Sequence, residues 1–93
     1  MLSTMWHLYI LQCADSTLYT GITKDVARRV EEHNTSPKAA KYTRGRRPVR
    51  LVFSVECTTH NDALVREIAL KKLSRKEKLQ FIEEFQQKNK NYL

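Results

Sequence analysis

Residues 6–23 read Trp6-His7-Leu8-Tyr9-Ile10-Leu11-Gln12, then Cys13-Ala14-Asp15-Ser16-Thr17, then Leu18-Tyr19-Thr20-Gly21-Ile22-Thr23. The first seven are aromatic and branched, with no break residue, which suits a buried strand. Asp15 and Ser16 are turn formers. The six that follow read as a second strand, so the stretch predicts an antiparallel hairpin. Gly21 falls inside that second strand, where glycine marks a bulge or a close approach of another group.

The rest of the chain extends this start. Asp25 can cap a helix running to about Asn34, with Val26, Val30 and His33 at i, i+4, i+7 and Arg29 one turn before His33. Residues 35–48 read as a loop, kept out of a regular helix by Gly45 and Pro48. Val49 to Glu56 has the β-branched bias of a third strand. Thr59 with Asp62 resembles a capping box opening a helix to about Leu73. Ser74-Arg75-Lys76-Glu77 matches a capping box more fully and opens a last helix, with Leu79, Ile82 and Phe85 at helical spacing. The order β-β-α-β-α-α does not alternate as parallel units do. It predicts an α+β fold: a small, three-stranded, mainly antiparallel sheet flanked by helices. Residues 1–93 make a single domain with a core over 6–85, and residues 88–93 read as a polar tail.

The composition narrows the partners. The 93 residues carry 17 Lys+Arg against 10 Asp+Glu, a net charge of +7, and 41% of them are apolar. That is enough for a packed core and too much for a disordered polycation. No acidic residue occurs between Glu32 and Glu56, an interval that holds Lys38, Lys41, Arg44, Arg46, Arg47 and Arg50. The excess charge therefore belongs almost wholly to one segment, which predicts a polyanionic partner. No window approaches ~18 consecutive apolar residues, so no membrane-spanning helix is expected. Met1 to His7 lacks the regions of a secretion signal, and Cys13 and Cys57 make no disulfide framework or metal cluster. The expectation is a cytoplasmic protein with reduced thiols.

Three features stand out as chemistry: Tyr9 and Tyr19 on adjacent strands followed by Gly21; Arg29 with His33 on one helical face; and Glu67, beside the apolar stripe Leu64–Ile68, with Lys71 one turn on. Each has a purely structural explanation. Strand tyrosines half-bury, an i, i+4 Arg–His pair is exposed, and a Glu four residues before a Lys is a surface pair stabilising by ~0.3–0.5 kcal/mol. Composition and periodicity alone stop at a basic α+β domain that binds nucleic acid.

Leu8-Tyr9-Ile10, Tyr19-Thr20-Gly21 and Lys24-Asp25-Val26-Ala27-Arg28-Arg29-Val30-Glu31-Glu32-His33 together resemble the GIY-YIG nuclease superfamily. Ala40-Lys41-Tyr42-Thr43-Arg44-Gly45-Arg46-Arg47-Pro48, followed by Leu51-Val52, is similar to its short stand-alone bacterial members and to the catalytic domain of the SLX-type structure-specific nuclease. Ala63-Leu64-Val65-Arg66-Glu67-Ile68-Ala69-Leu70-Lys71 resembles the family's Glu-bearing helix. The first motif lacks the family's Gly and Thr20 replaces the second's Ile. Leu79 stands about where many catalytic members carry an Asn.

The resemblance implies hydrolysis of DNA phosphodiesters with one divalent cation, Mg²⁺ or Mn²⁺, at Glu67. A hard cation keeps several waters and needs only one or two carboxylates beside the substrate phosphate. Arg29 would offer its fork to the phosphate and stabilise the pentavalent transition state. A tyrosine, Tyr9 or Tyr19, would act as base, with His33 bonding a tyrosine or a phosphate. Lys41, Arg44, Arg46 and Arg47 are assigned to the DNA backbone, with little sequence preference because no groove-reading motif is present. Specificity would come from branched or damaged DNA, or from a protein partner. Two other readings stay open: a nucleic-acid-binding module that cleaves little or not at all, and a protein-interaction adaptor.

Overall fold

The computed structural model describes residues 5–89. Its elements are β1 (Trp6–Gln12), β2 (Leu18–Thr23), α1 (Val26–Thr35), α2 (Lys41–Arg44), β3 (Arg50–Cys57), α3 (His60–Lys71) and α4 (Arg75–Lys88). The sheet is antiparallel throughout, in the order β2-β1-β3. β1 is thus central and covered on both faces, which is why its apolar run is continuous rather than alternating. Leu8 and Ile10 pack into one cluster with Phe53, Ala63 of α3, Leu70 of α3 and Ile82 of α4. Tyr9 and Leu11 point the other way, into a second cluster with Cys13, Val49 and Val30 of α1. A register shift between Ile10 and Leu11 adds a bulge against β3. The two cysteines are free and buried, one in each cluster.

The caps lie where the sequence places them. Asp25 accepts from the Arg28 N–H, and Ser74 and Glu77 form a reciprocal capping box. The Thr59 end is only half a box: Thr59 accepts from the Asp62 N–H, but Asp62 reaches past it to the Thr58 N–H. The basic segment departs from the expected loop. Residues 41–44 form one helical turn, ended at Gly45, in which the Thr43 hydroxyl is fully buried. One tertiary bond to that hydroxyl, from His33, and its local bond to the Ala40 carbonyl hold the turn. On α3, Ala63 and Leu70 face the core, whereas Val65 and Ile68 of the apolar stripe are more than half exposed. Of the polar tail, Lys88 closes α4 and residues 90–93 lie outside the described residues. Among the described residues, no helix is long and apolar enough to cross a membrane.

Candidate active site

The hairpin and α1 bring Tyr9, Tyr19 and His33 together. Tyr9 on β1 pairs across the strands with Gly21 on β2. A Cβ at Gly21 would lie 2.6 Å from the Tyr9 hydroxyl oxygen and 3.1 Å from the Tyr19 ring. Glycine is required there so that the Tyr9 side chain can pass over the backbone of β2. The Tyr9 hydroxyl lies 2.9 Å from His33 Nε2. Tyr19 packs on the edge of His33, with ring centroids 5.1 Å apart, and lies 6.4 Å from the Tyr9 ring.

His33 is fully buried, and its second nitrogen explains why. Nδ1 lies 2.7 Å from Thr43 Oγ1, and that hydroxyl donates to the Ala40 carbonyl at 3.0 Å. A carbonyl only accepts, so the hydroxyl proton is committed and the oxygen must accept from Nδ1–H. Nε2 then carries a lone pair and accepts the Tyr9 proton. Burial, with Arg29 and Arg47 nearby, pushes the imidazole down to about 4, so His33 is neutral at neutral pH. Burial, with Tyr19 beside it, pushes the Tyr9 phenol up to about 12, while Arg29 acts in the opposite sense by hydrogen bonding and charge.

Arg29 lies on α1 and Glu67 on α3. Nη1 of Arg29 donates to Glu32 Oε1 and to the Lys38 carbonyl, both at 3.1 Å, and the side chain borders a cleft of about 200 Å³ shared with Lys24, Arg28 and Glu32. The charge of Glu67 on α3 acts on the Tyr9 phenol through space, as the smallest of the influences that set it. Its side chain is only 17% exposed and forms an ion pair with Lys71 Nζ at 3.3 Å. Among the described residues no three His, Cys, Asp or Glu gather into a metal cage. A single shielded carboxylate fits a hydrated hard cation shared with a phosphate, not a preformed protein cage.

The four cations assigned to DNA fall into two pairs. Lys41 and Arg44 are exposed and make no side-chain bond. Arg46 pairs with Asp15 at 3.0 Å, donates to the Tyr42 carbonyl and lies over the Tyr42 ring at 4.0 Å. Arg47 turns inward: its Nε donates to the His33 carbonyl and Nη2 to the Ser36 carbonyl, each at 2.6 Å. These acceptors lie at the C-terminal end of α1, where carbonyls lack helical partners and a cation is favoured. Asn34 ties the same end to Val49, the residue before β3, donating to its carbonyl and accepting from its N–H. Arg47→Ala is therefore expected to lower stability by about 1.5–3 kcal/mol in urea unfolding, against under about 0.5 for Arg44→Ala. Equal midpoints for the two variants would return Arg47 to the surface set.

Thr43, which orders the whole chain of bonds, carries no signal in the sequence. It lies ten residues from His33 across an aperiodic segment.

The profile of the GIY-YIG catalytic domain matches residues 5–80. The chain belongs to the GIY-YIG family. Among its relatives is a UPF0213 protein of Desulfotalea psychrophila, 58% identical over 74% of this chain and 63% of that protein, so the match spans less than two-thirds of its length. A UPF0213 protein of Syntrophus aciditrophicus is 47% identical over 84% of this chain and 90% of its own. The solution NMR structure of a UPF0213 protein of Bacillus halodurans is 44% identical, with a TM-score of 0.56 over 86% of this chain and 84% of that one. A protein from E. faecalis, also solved by NMR, is 38% identical with a TM-score of 0.62 over 91% of each chain. This chain has the three-stranded antiparallel sheet flanked by helices that the sequence predicts, with the single turn α2 added between α1 and β3. Membership places the chain in a nuclease family whose substrate class is DNA.

Proposed function

We propose that this chain is a divalent-cation-dependent DNA endonuclease of low sequence specificity, acting on branched or damaged DNA in the cytoplasm. The observation that carries it is the buried Tyr9–His33 bond of 2.9 Å, with the Arg29 charge acting on the same phenol.

Tyr9 cannot wait as a phenolate when burial pushes it to about 12. Its proton, however, already points at the lone pair of a neutral imidazole. A water aligned on the Tyr9 oxygen attacks phosphorus, and its O–H becomes strongly acidic as the O–P bond forms. The water proton passes to the Tyr9 oxygen while the Tyr9 proton passes to His33 Nε2. Tyr9 therefore carries little charge at any point, and an acceptor as weak as His33 suffices as general base at the moment of attack. The P–O bond to the leaving oxygen breaks, that oxygen takes a proton from solvent, and His33 returns its own on product release. Arg29 holds two phosphate oxygens as charge develops on them. Glu67 would hold one hydrated Mg²⁺ or Mn²⁺, which, when bound, would polarise the phosphoryl group and stabilise the leaving oxygen. Tyr19 packs the histidine edge-on and holds its ring in place for the Tyr9 bond. Lys41 and Arg44, with Arg46 beside them, would track the backbone, and Arg47 supports them from behind by holding α1.

The test is a screen of nicked, branched, single-stranded and blunt DNA with Mg²⁺, Mn²⁺ or a chelator. Cleavage that needs the metal and tolerates sequence change is expected. A second reading, a GIY-YIG-fold nucleic-acid-binding module that cleaves little, is favoured by the Glu67–Lys71 ion pair, which competes with a cation for the carboxylate. Salt-dependent binding with no cutting of any substrate selects it.

A further inference from the structure

A second cleft lies away from Tyr9 and His33. The β1–β2 turn, α2 and the first turn of α4 enclose about 240 Å³ lined by Thr17, Leu18, Tyr42, Arg75 and Lys78. That is the liquid volume of roughly eight waters, room for a planar ring and not for a folded element. Arg75 and Lys78 enter no ion pair among the described residues. Arg75 is fixed across the mouth by a bond from Nη1 to the Ser16 carbonyl at 2.8 Å. The carboxylates on the flanking elements are otherwise engaged: Asp15 with Arg46 and Thr17, Glu77 with the Ser74 N–H. The cleft is thus positive where its polar groups are free.

Its aromatic wall continues the active site. Tyr42 is 38% exposed, and Arg46 covers one face of its ring at 4.0 Å. The Tyr42 ring lies 6.0 Å from Tyr19, which itself lies against His33 and Tyr9. An unbroken run of rings therefore leads from the proposed nucleophile site into a basic, ring-sized cleft. An aromatic face backed by a stacked guanidinium, with two cations within the same cleft, recognises a nucleobase joined to a phosphate. A paired base hides its faces in the stack and shows only its edges in the grooves, so this cleft can take only a base that is out of the stack.

We infer that the Tyr42–Arg75–Lys78 cleft binds an unpaired nucleotide of the strand being cut, its base on Tyr42 and its phosphate at Lys78 and Arg75. The inference rests on the nuclease reading of the Tyr9 site and narrows its substrates to DNA with a single-stranded segment next to the scissile phosphate. It gives α4, which holds no proposed catalytic residue, a part in choosing the substrate.

Binding of the Glu67→Gln protein with Mg²⁺ tests this without cleavage. The probes are a blunt hairpin duplex and the same duplex with a short single-stranded flap carrying 2-aminopurine at successive positions. The flap duplex is expected to bind tighter, with 2-aminopurine quenched at one or two adjacent flap positions. Tyr42→Ala should abolish that quenching and weaken flap binding about tenfold, with Tyr42→Phe retaining both. Lys78→Ala should weaken flap binding and reduce its salt slope by about one. A free mononucleotide should compete poorly, since one unit lacks the contacts along the ring path. Quenching that survives Tyr42→Ala, equal loss for flap and blunt duplexes, or competition by the mononucleotide as strong as by the flap would each overturn the subsite. Equal affinity for both duplexes removes the subsite but leaves the nuclease reading standing, whereas no binding to either removes both.

Discussion

Tyr9→Phe is expected to reduce DNA cleavage by roughly 10²–10⁴-fold while leaving DNA affinity and the fold in place. The substitution removes one oxygen from a side chain that is 1% exposed, and the ring keeps its packing against Leu11 and Tyr19. What it loses is the 2.9 Å bond to His33 Nε2 and the oxygen proposed to align a water against that lone pair. The stability penalty is that of one buried acceptor left without its donor, about 1–3 kcal/mol. Arg29→Ala should fall by roughly 10²–10³-fold, because a preorganised fork aimed at developing charge is lost. Glu67→Ala should be restored by no concentration of Mg²⁺ that restores the unsubstituted chain after chelation. All three variants should still bind DNA with a steep salt dependence, because Lys41 and Arg44 are untouched. Tyr9→Phe cutting at the unsubstituted rate would end the relay, and Tyr19→Phe losing activity in its place would move the base to the other tyrosine.

Most of the scaffold of this site was legible in the sequence because short-range rules govern it. An uninterrupted apolar run from Trp6, a turn at Asp15-Ser16 and a glycine two residues after Tyr19 specify a central strand, a hairpin and a close approach, and each appears. The caps at Asp25 and Ser74 are local hydrogen bonds and were equally visible. Side-chain direction in the basic segment was not. Charge counting treats Arg44 and Arg47 alike, but one faces solvent and the other closes the C-terminal end of a helix more than ten residues earlier in the chain. Thr43 was hidden for the same reason. Its value lies in an acceptor lone pair that faces His33 only after α2 has folded against α1. The apolar stripe on α3 gave no such direction either: Val65 and Ile68 are more than half exposed, whereas Ala63 and Leu70 make the core contacts.

The stability of this protein is expected to fall by on the order of 3 kcal/mol as pH drops from about 6.5 to about 4, and His33→Gln should remove most of that fall. In the folded chain burial holds the imidazole at about 4, below the value of 6.5 for the free side chain. Above pH 6.5 neither state carries the proton, so His33 contributes its full stability and no slope. Between 6.5 and 4 the unfolded chain binds the proton and the folded chain does not, so unfolding is favoured as pH falls. Below about 4 both states are protonated and the slope from this group ends. Asp15, Glu32, Asp62 and Glu77 are held below their ordinary range by their hydrogen-bond partners, so their loss comes at more acid pH, and the upper part of the window isolates His33. Thr43 supplies the second half of the test. Thr43→Val leaves Nδ1–H buried without an acceptor, so the tautomer preference should collapse, and ¹⁵N spectra of His33 should change from Nδ1–H alone to a mixture. Cleavage should then fall about tenfold or more, because Nε2 carries a proton part of the time and cannot accept from Tyr9. Thr43→Ser keeps the hydroxyl and should keep both the spectrum and the rate. A merely structural threonine would lose stability on becoming valine but leave the tautomer unchanged, and that result would separate His33 from the proton path while leaving its burial intact.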